Sequence, residues 1–92
     1  MHATYQAQWI SRRRMNELKK AGLPGKVVLL NHLNGGIVVG RAGSELGDGP
    51  VLTADEADYE LQPTWVSDSQ ATLRQARERL GLGAVEAAMV GV

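Results

Sequence analysis

Three consecutive arginines, Arg12, Arg13 and Arg14, with Lys19, Lys20 and Lys26 close behind, are the residues of this 92-residue chain best placed to do chemistry. That chemistry is anion recognition. A guanidinium offers a rigid planar fork that matches phosphate or carboxylate, and an ammonium adds a mobile point charge. Tyr5 and Trp9 stand just upstream and carry rings that stack on bases or pack against a partner. Arg41 adds a further cation, and the segment TADEADYE brings Asp55, Glu56, Asp58 and Glu60 together. That acidic run lacks the ligand order and central glycine of an EF-hand loop. It also lacks the contrasting environments that split a carboxylate pair into acid and base. The candidate binding residues are therefore Arg12, Arg13, Arg14, Lys19, Lys20 and Arg41 on the basic side, and Asp55, Glu56 and Asp58 on the acidic side. No catalytic residue, metal site or cofactor is expected.

Nucleophilic catalysis needs a base beside the nucleophile, and the chain offers only His2 and His32. His2 is at the terminus, and His32 abuts a hairpin turn, where a surface or packing role is expected. There is no cysteine, hence no thiolate chemistry and no disulfide framework. No G-x-S-x-G, H-E-x-x-H or phosphate-loop pattern occurs. An enzyme here would need a site built around His32 alone, and the expectation is a non-enzyme.

Charge separates along the chain although the net charge is zero. Residues 1–44 carry seven basic side chains against Glu17, and residues 45–68 carry seven acids and no Lys or Arg. Such segregation bears on partners and steering. The expected function is non-catalytic macromolecule binding with a protein as partner, in the manner of phage or mobile-element accessory proteins such as inhibitors of host defence complexes or virion components. A sequence pI near 6.7 weighs against the alternative, a small nucleic-acid-binding transcriptional regulator, since such domains are usually basic overall. A homodimer is compatible with the same charge pattern. The first ten residues lack a secretory signal, and no apolar run approaches the roughly 20 residues of a membrane span. The expected location is the cytoplasm.

These residues need a scaffold, and Lys26–Gly43 supplies its centre. Asn34-Gly35 between the apolar runs Val27–Leu30 and Ile37–Val39 signals a hairpin with a type I′ turn. That turn pairs His32 with Ile37 and Leu30 with Val39. Val28, Leu30, His32, Ile37 and Val39 then share one face, and Val27, Leu29, Leu33, Val38 and Ala42 the other. Both faces are apolar and both need cover. Residues 3–10 alternate weakly and read as a strand. Ser11 is a helix N-cap and Gly22 with Pro24 a stop, giving a helix over Ser11–Ala21. The three arginines in its first turn oppose the helix dipole, a hint of use elsewhere.

Residues 43–50 read as a loop, Val51-Leu52 as a brief strand and Thr53 as the cap of a single turn over Ala54–Ala57. Tyr59–Val66 reads as a strand, with Pro63 marking an edge or bulge. Asp68 or Ser69 caps a helix over Gln70–Leu80, with Ala71, Leu73, Ala76 and Leu80 inward and the arginines elsewhere. Gly81 ends it, and Ala84–Val90 forms a short C-terminal helix. The expected fold is one α+β domain over residues 1–92, with a three- or four-stranded antiparallel sheet centred on the 26–43 hairpin and helices near 11–21 and 70–80 packed on it.

Two resemblances attach to these elements. Leu73, Arg77, Gly81-Leu82, Glu86, Ala88 and Gly91-Val92 resemble the opening of a phage-repressor-type helix-turn-helix, although the second helix is one residue short and the sequence stops where a recognition helix would begin. The order helix, hairpin, strand, helix is similar to that of double-stranded RNA-binding domains, but DSQATLRQ stands where their basic motif would be.

Overall fold

The computed structural model describes residues 4–63 and 70–83. Its elements are β1 (Tyr5–Ile10), α1 (Arg12–Ala21), β2 (Val28–His32), β3 (Gly35–Arg41), α2 (Ala54–Glu60) and α3 (Gln70–Arg79). The strands form one antiparallel sheet in the order β1-β3-β2. β3 takes the centre, where it is paired on both edges and buried on both faces, because its sequence GGIVVGR has nothing polar before Arg41.

The period-2 alternation splits the apolar residues between two faces. Ala7, Val28, Leu30, Ile37 and Val39 face Leu52, Ala57, Leu61, Leu73 and Ala76, so α2 and α3 cover this side. Ile10 and Val38 face Met15 and Leu18 of α1, with Val27, Leu29 and Leu46 packed around them. Each buried Leu, Ile or Val contributes about 1.5–3 kcal/mol of transfer free energy. Leu33 is exposed in the turn and Ala42 is exposed beyond β3, so neither joins the second face, but for the strand residues and Val27 the face assignments expected for the hairpin hold.

Its register and turn do not. The observed pairs are His32 with Gly35, Leu30 with Ile37 and Val28 with Val39, two residues from the expected ladder. A two-residue slip leaves every side chain on its own face, so hydrophobic pattern cannot detect it. The turn falls on Leu33 and Asn34, neither of which has positive φ, so it is not type I′. Gly35 is needed inside the sheet instead. It has φ 141°, and a Cβ there would lie 2.8 Å from the Ile10 carbonyl oxygen where β1 crosses into α1.

The other corrections lie between residues 51 and 63. Val51-Leu52 forms a single bridge, Val51 with Gln8, rather than a strand. Pro50 has no N–H to give, and Thr53 already caps a helix. That helix, α2, runs through Glu60 rather than stopping at Ala57. It displaces the first part of the strand expected over Tyr59–Val66, and Leu61–Pro63 form a turn. Ala57 and Leu61 are both buried at i, i+4 spacing, which outweighs the strand-like alternation of Tyr59 and Leu61. The helix, hairpin, strand, helix order similar to double-stranded RNA-binding domains is accordingly replaced by β1-α1-β2-β3-α2-α3.

α3 ends as its glycine implies. Gly81 (φ 75°) donates to the Glu78 carbonyl and Leu82 to the Arg77 carbonyl, a Schellman stop. Arg77 is not on the solvated side of this helix, as the apolar stripe had implied, but 5% exposed. The Asp68 or Ser69 cap, residues 64–66 of the expected strand, the short helix over Ala84–Val90 and the end of the helix-turn-helix resemblance lie outside the described residues.

Candidate functional site

α1 forms where expected. Ser11 is its N-cap, accepting from Arg14 N at 3.1 Å, and Gly22 closes it by donating to the Leu18 carbonyl. Met15 and Leu18 are buried, which turns Arg12, Arg13, Asn16, Glu17, Lys19 and Lys20 outward. Arg14 turns back to the scaffold. Its Nη1 pairs with Glu17 at 3.0 Å and its Nε donates to the Leu46 carbonyl at 3.1 Å. The outward surface is thus cationic at both ends, Arg12 and Arg13 in the first turn and Lys19 and Lys20 in the last. Seven residues separate each from its counterpart, about 10 Å along the axis. Among the described residues no carboxylate forms an ion pair with Arg12, Arg13, Lys19 or Lys20.

The first-turn arginines need an anion near the helix start, and none lies within that turn. Asp48 supplies it from across the chain. Ser11 N donates to Asp48 Oδ1 at 2.7 Å and Ser11 Oγ to Oδ2 at 2.6 Å. The Ser11 hydroxyl bond, then the Ser11 N–H bond, holds the Asp48 carboxyl below its ordinary value, with Arg13 adding a smaller pull. Much of the misfit that hinted at an outside use for the arginines is met within the fold.

The loop carrying Asp48 is fixed by Gln8, 8% exposed in β1. Gln8 Nε2 donates to the carbonyls of Gly47 (3.2 Å) and Gly49 (2.8 Å), and its Oε1 accepts from Gly47 N (3.0 Å). Residues 49–52 then run along the outer edge of β1 through Gly49 N to Trp9 O, Trp9 N to Pro50 O and Leu52 N to Ala7 O.

Arg41 is not brought to this surface. It is exposed opposite Tyr5, whereas Ile10, next to the start of α1, lies opposite Gly36. That is about 17 Å away along the strand. Arg41 instead borders a shallow hollow of about 120 Å³ together with Lys26.

The acidic candidates have internal tasks. Asp55 is exposed in the first turn of α2, where it suits the dipole. Glu56 completes a capping box, accepting from Thr53 N at 2.8 Å while Glu56 N donates to Thr53 Oγ1 at 3.1 Å. Asp58 Oδ1 accepts from Arg77 Nη2 at 2.6 Å. The rest of that guanidinium donates to the carbonyls of Asp58, Leu61 and Gly83, so Arg77 ties α3 to α2. Glu60 Oε1 lies 3.1 Å from His32 Nε2, off the line a hydrogen bond needs. His32 meets Trp9 edge to face at 5.1 Å, a packing role.

Sequence reasoning missed Asp48, Gln8 and Arg77. Gly-Asp-Gly over residues 47–49 was one signal, since small neighbours mark a backbone that must approach closely. A glutamine between apolar strand residues was another.

Among the described residues no group of three or more His, Asp or Glu side chains is placed to hold a metal ion, and no helix is long and apolar enough to cross a membrane. No family model, curated protein or solved structure matches the chain.

Proposed function

We propose that this chain is a non-catalytic binding protein that docks a protein partner through the outer face of α1, where Arg12, Arg13, Lys19 and Lys20 meet an acidic surface. One observation carries the reading. These four cations share the solvent side of a single helix and form no ion pair among the described residues, Arg13 feeling only a weak pull from Asp48, whereas Arg14, Arg77, Glu56 and Asp58 are engaged within the fold. The helix is braced at its start by Asp48 and Ser11, and a preformed surface loses less freedom on binding. On this reading the chain is an accessory protein of the phage or mobile-element type, an inhibitor or a virion component, acting in the cytoplasm.

The test replaces Arg12, Arg13, Lys19 and Lys20 together by alanine, the best helix former, so α1 is kept. Wild-type chain coupled to resin should retain a specific protein from source-cell lysate, and the variant should lose it with an unchanged circular-dichroism spectrum. Retention of the same protein by the variant overturns the reading. Fluorescence anisotropy with a labelled DNA duplex covers the nucleic-acid alternative. Binding whose log affinity falls against log salt by about 0.9 per phosphate would replace a protein partner with DNA.

A further inference from the structure

We propose that Asn34 is a site of spontaneous covalent modification, converting in the folded chain to aspartate and isoaspartate through attack by the Gly35 nitrogen. The inference is independent of what α1 binds.

The Asn34-Gly35 step does not serve the type I′ turn that it signals. Its other property is a side-chain amide within reach of the next main-chain nitrogen. The Gly35 nitrogen gives up its proton and bonds to Asn34 Cγ. The bond from Cγ to the side-chain nitrogen breaks, and that nitrogen leaves as ammonia, taking the proton. A cyclic succinimide remains, and water opens it. Water adding at Cγ releases the Gly35 nitrogen to the original main chain and yields aspartate at position 34. Water adding at the main-chain carbonyl carbon yields isoaspartate, whose main chain runs through Cγ. Water is the only co-reactant, and nothing is oxidised or reduced.

The structure singles out this step among the three asparagines of the chain. Asn16 lies in α1, where the helix ladder holds the next N–H and Glu17 adds a side chain beside it. Asn31 lies within β2, has interactions of its own and precedes His32. Asn34 is exposed in the turn, and its side chain makes no hydrogen bond among the described residues. Glycine follows it, so no Cβ obstructs the attack. The attacking nitrogen belongs to the last pair of the ladder, His32 with Gly35, and the ends of elements open at the lowest cost.

Asp48-Gly49 is the same step in acid form, and it is pinned at both ends. The two carboxylate oxygens accept from Ser11 at 2.7 and 2.6 Å, and the Gly49 nitrogen donates to the Trp9 carbonyl at 3.0 Å. The Ser11 bonds keep the carboxyl ionised, and an ionised carboxylate has no leaving group to expel.

Conversion at Asn34 reaches beyond the turn. Isoaspartate puts an extra atom into the main chain directly before Gly35. A Cβ at Gly35 would already lie 2.8 Å from the Ile10 carbonyl oxygen and 3.7 Å from Ser11 Cα. The product therefore disturbs the place where β1 passes into α1.

The test is incubation of the folded full chain at mildly alkaline pH, with conversion at each asparagine followed by peptide mass and fragmentation. Asn34 should gain the mass that separates an acid from an amide and give aspartyl and isoaspartyl forms. Its rate should exceed those at Asn16 and Asn31 by at least about tenfold. Asp48→Asn supplies the decisive comparison, since it writes Asn-Gly at both places. In that variant, while folded, position 34 should convert about tenfold faster than position 48, and in urea the two rates should come together. Asn34→Gln should remove the modification, and the isolated isoaspartyl product should have a lower urea midpoint than Asn34→Asp. The proposal is overturned if Asn34 stays intact in the folded chain, if Asn16 or Asn31 keeps pace with it, or if position 48 converts as fast in the folded variant. An isoaspartyl product as stable as Asn34→Asp overturns the link to α1.

Discussion

α1 and α2 begin with the same device, a hydroxyl side chain accepting from the third helical N–H, yet they differ in where the accompanying acid comes from. α2 is self-sufficient, with Thr53 and Glu56 capping each other across three residues and Asp55 adding a second carboxylate in the first turn. α1 has arginines in those places and takes its carboxylate from Asp48, 37 residues from Ser11. A helix that carries its own acid can form the cap while the rest of the chain is loose. A helix that imports the acid depends on the whole edge of the sheet being assembled. The dependence leaves the first turn of α1 free to display cations, whereas in the first turn of α2 Glu56 is taken up by the helix's own cap.

The most damaging way to break this contrast is to dislodge the loop that delivers Asp48. A Cβ at Gly47 would lie 2.5 Å from the Trp9 carbonyl oxygen and 3.0 Å from Gln8 Cδ, so backbone must move. Gly47→Ala should destabilise the fold by about 1–3 kcal/mol, the usual cost of overpacking, read as a lower midpoint in urea. Gly25→Ala is the control, because nothing lies within 4 Å of a Cβ there. It should be neutral or slightly stabilising. Equal midpoints for the two variants would show that the brace contributes nothing.

What was legible follows the same division between near and far. Ser11, Gly22, Thr53 and Gly81 act through residues within one turn, and the sequence shows each of them. The sidedness of the hairpin follows from alternation alone, so Val28, Leu30, Ile37 and Val39 are separable from Leu29 and Val38 by inspection. Register is different, because a two-residue slip preserves every face, and here the choice depends on the close approach of Ile10 to Gly35 in a third strand. Arg77 reads as a surface residue until three carbonyls and Asp58 are gathered around it. Of the candidate site, the cationic side of α1 was visible as a cluster, but the separation of Arg41 from it, and the inward tasks of Glu56 and Asp58, depend on contacts between distant segments.

The caps offer a gentler comparison. Ser11→Ala and Thr53→Ala should each cost about 1 kcal/mol. The two should diverge in company with a second change. Thr53→Ala should couple to Glu56→Ala, its local partner, and not to Asp48→Asn. Ser11→Ala should couple to Asp48→Asn, because the hydroxyl donates to that carboxylate while accepting from Arg14 N. Double-mutant cycles on denaturation midpoints measure both. Additivity of Ser11→Ala with Asp48→Asn would sink the idea that α1 borrows its cap.

The smallest expected effect is also the most specific, since it isolates one titration. The Ser11 hydroxyl and N–H hold the Asp48 carboxyl below its ordinary value in the folded chain. The unfolded chain, lacking those bonds, binds its proton at higher pH. Between the two values the unfolded state carries more protons, so stability rises with pH in that window. The contribution is present above the unfolded value and is lost as pH falls through the folded one. Removing the charge by Asp48→Asn should lower the urea midpoint at neutral pH, and the gap to wild type should narrow on acidification from about pH 5 to pH 2. Glu56→Gln, which weakens the local cap of α2, provides the comparison on the other helix. A gap for Asp48→Asn that stays constant across this range would mean that the carboxylate charge does not support α1, leaving only the shape of the Ser11 hydrogen bonds to explain why a helix starting with three arginines is stable.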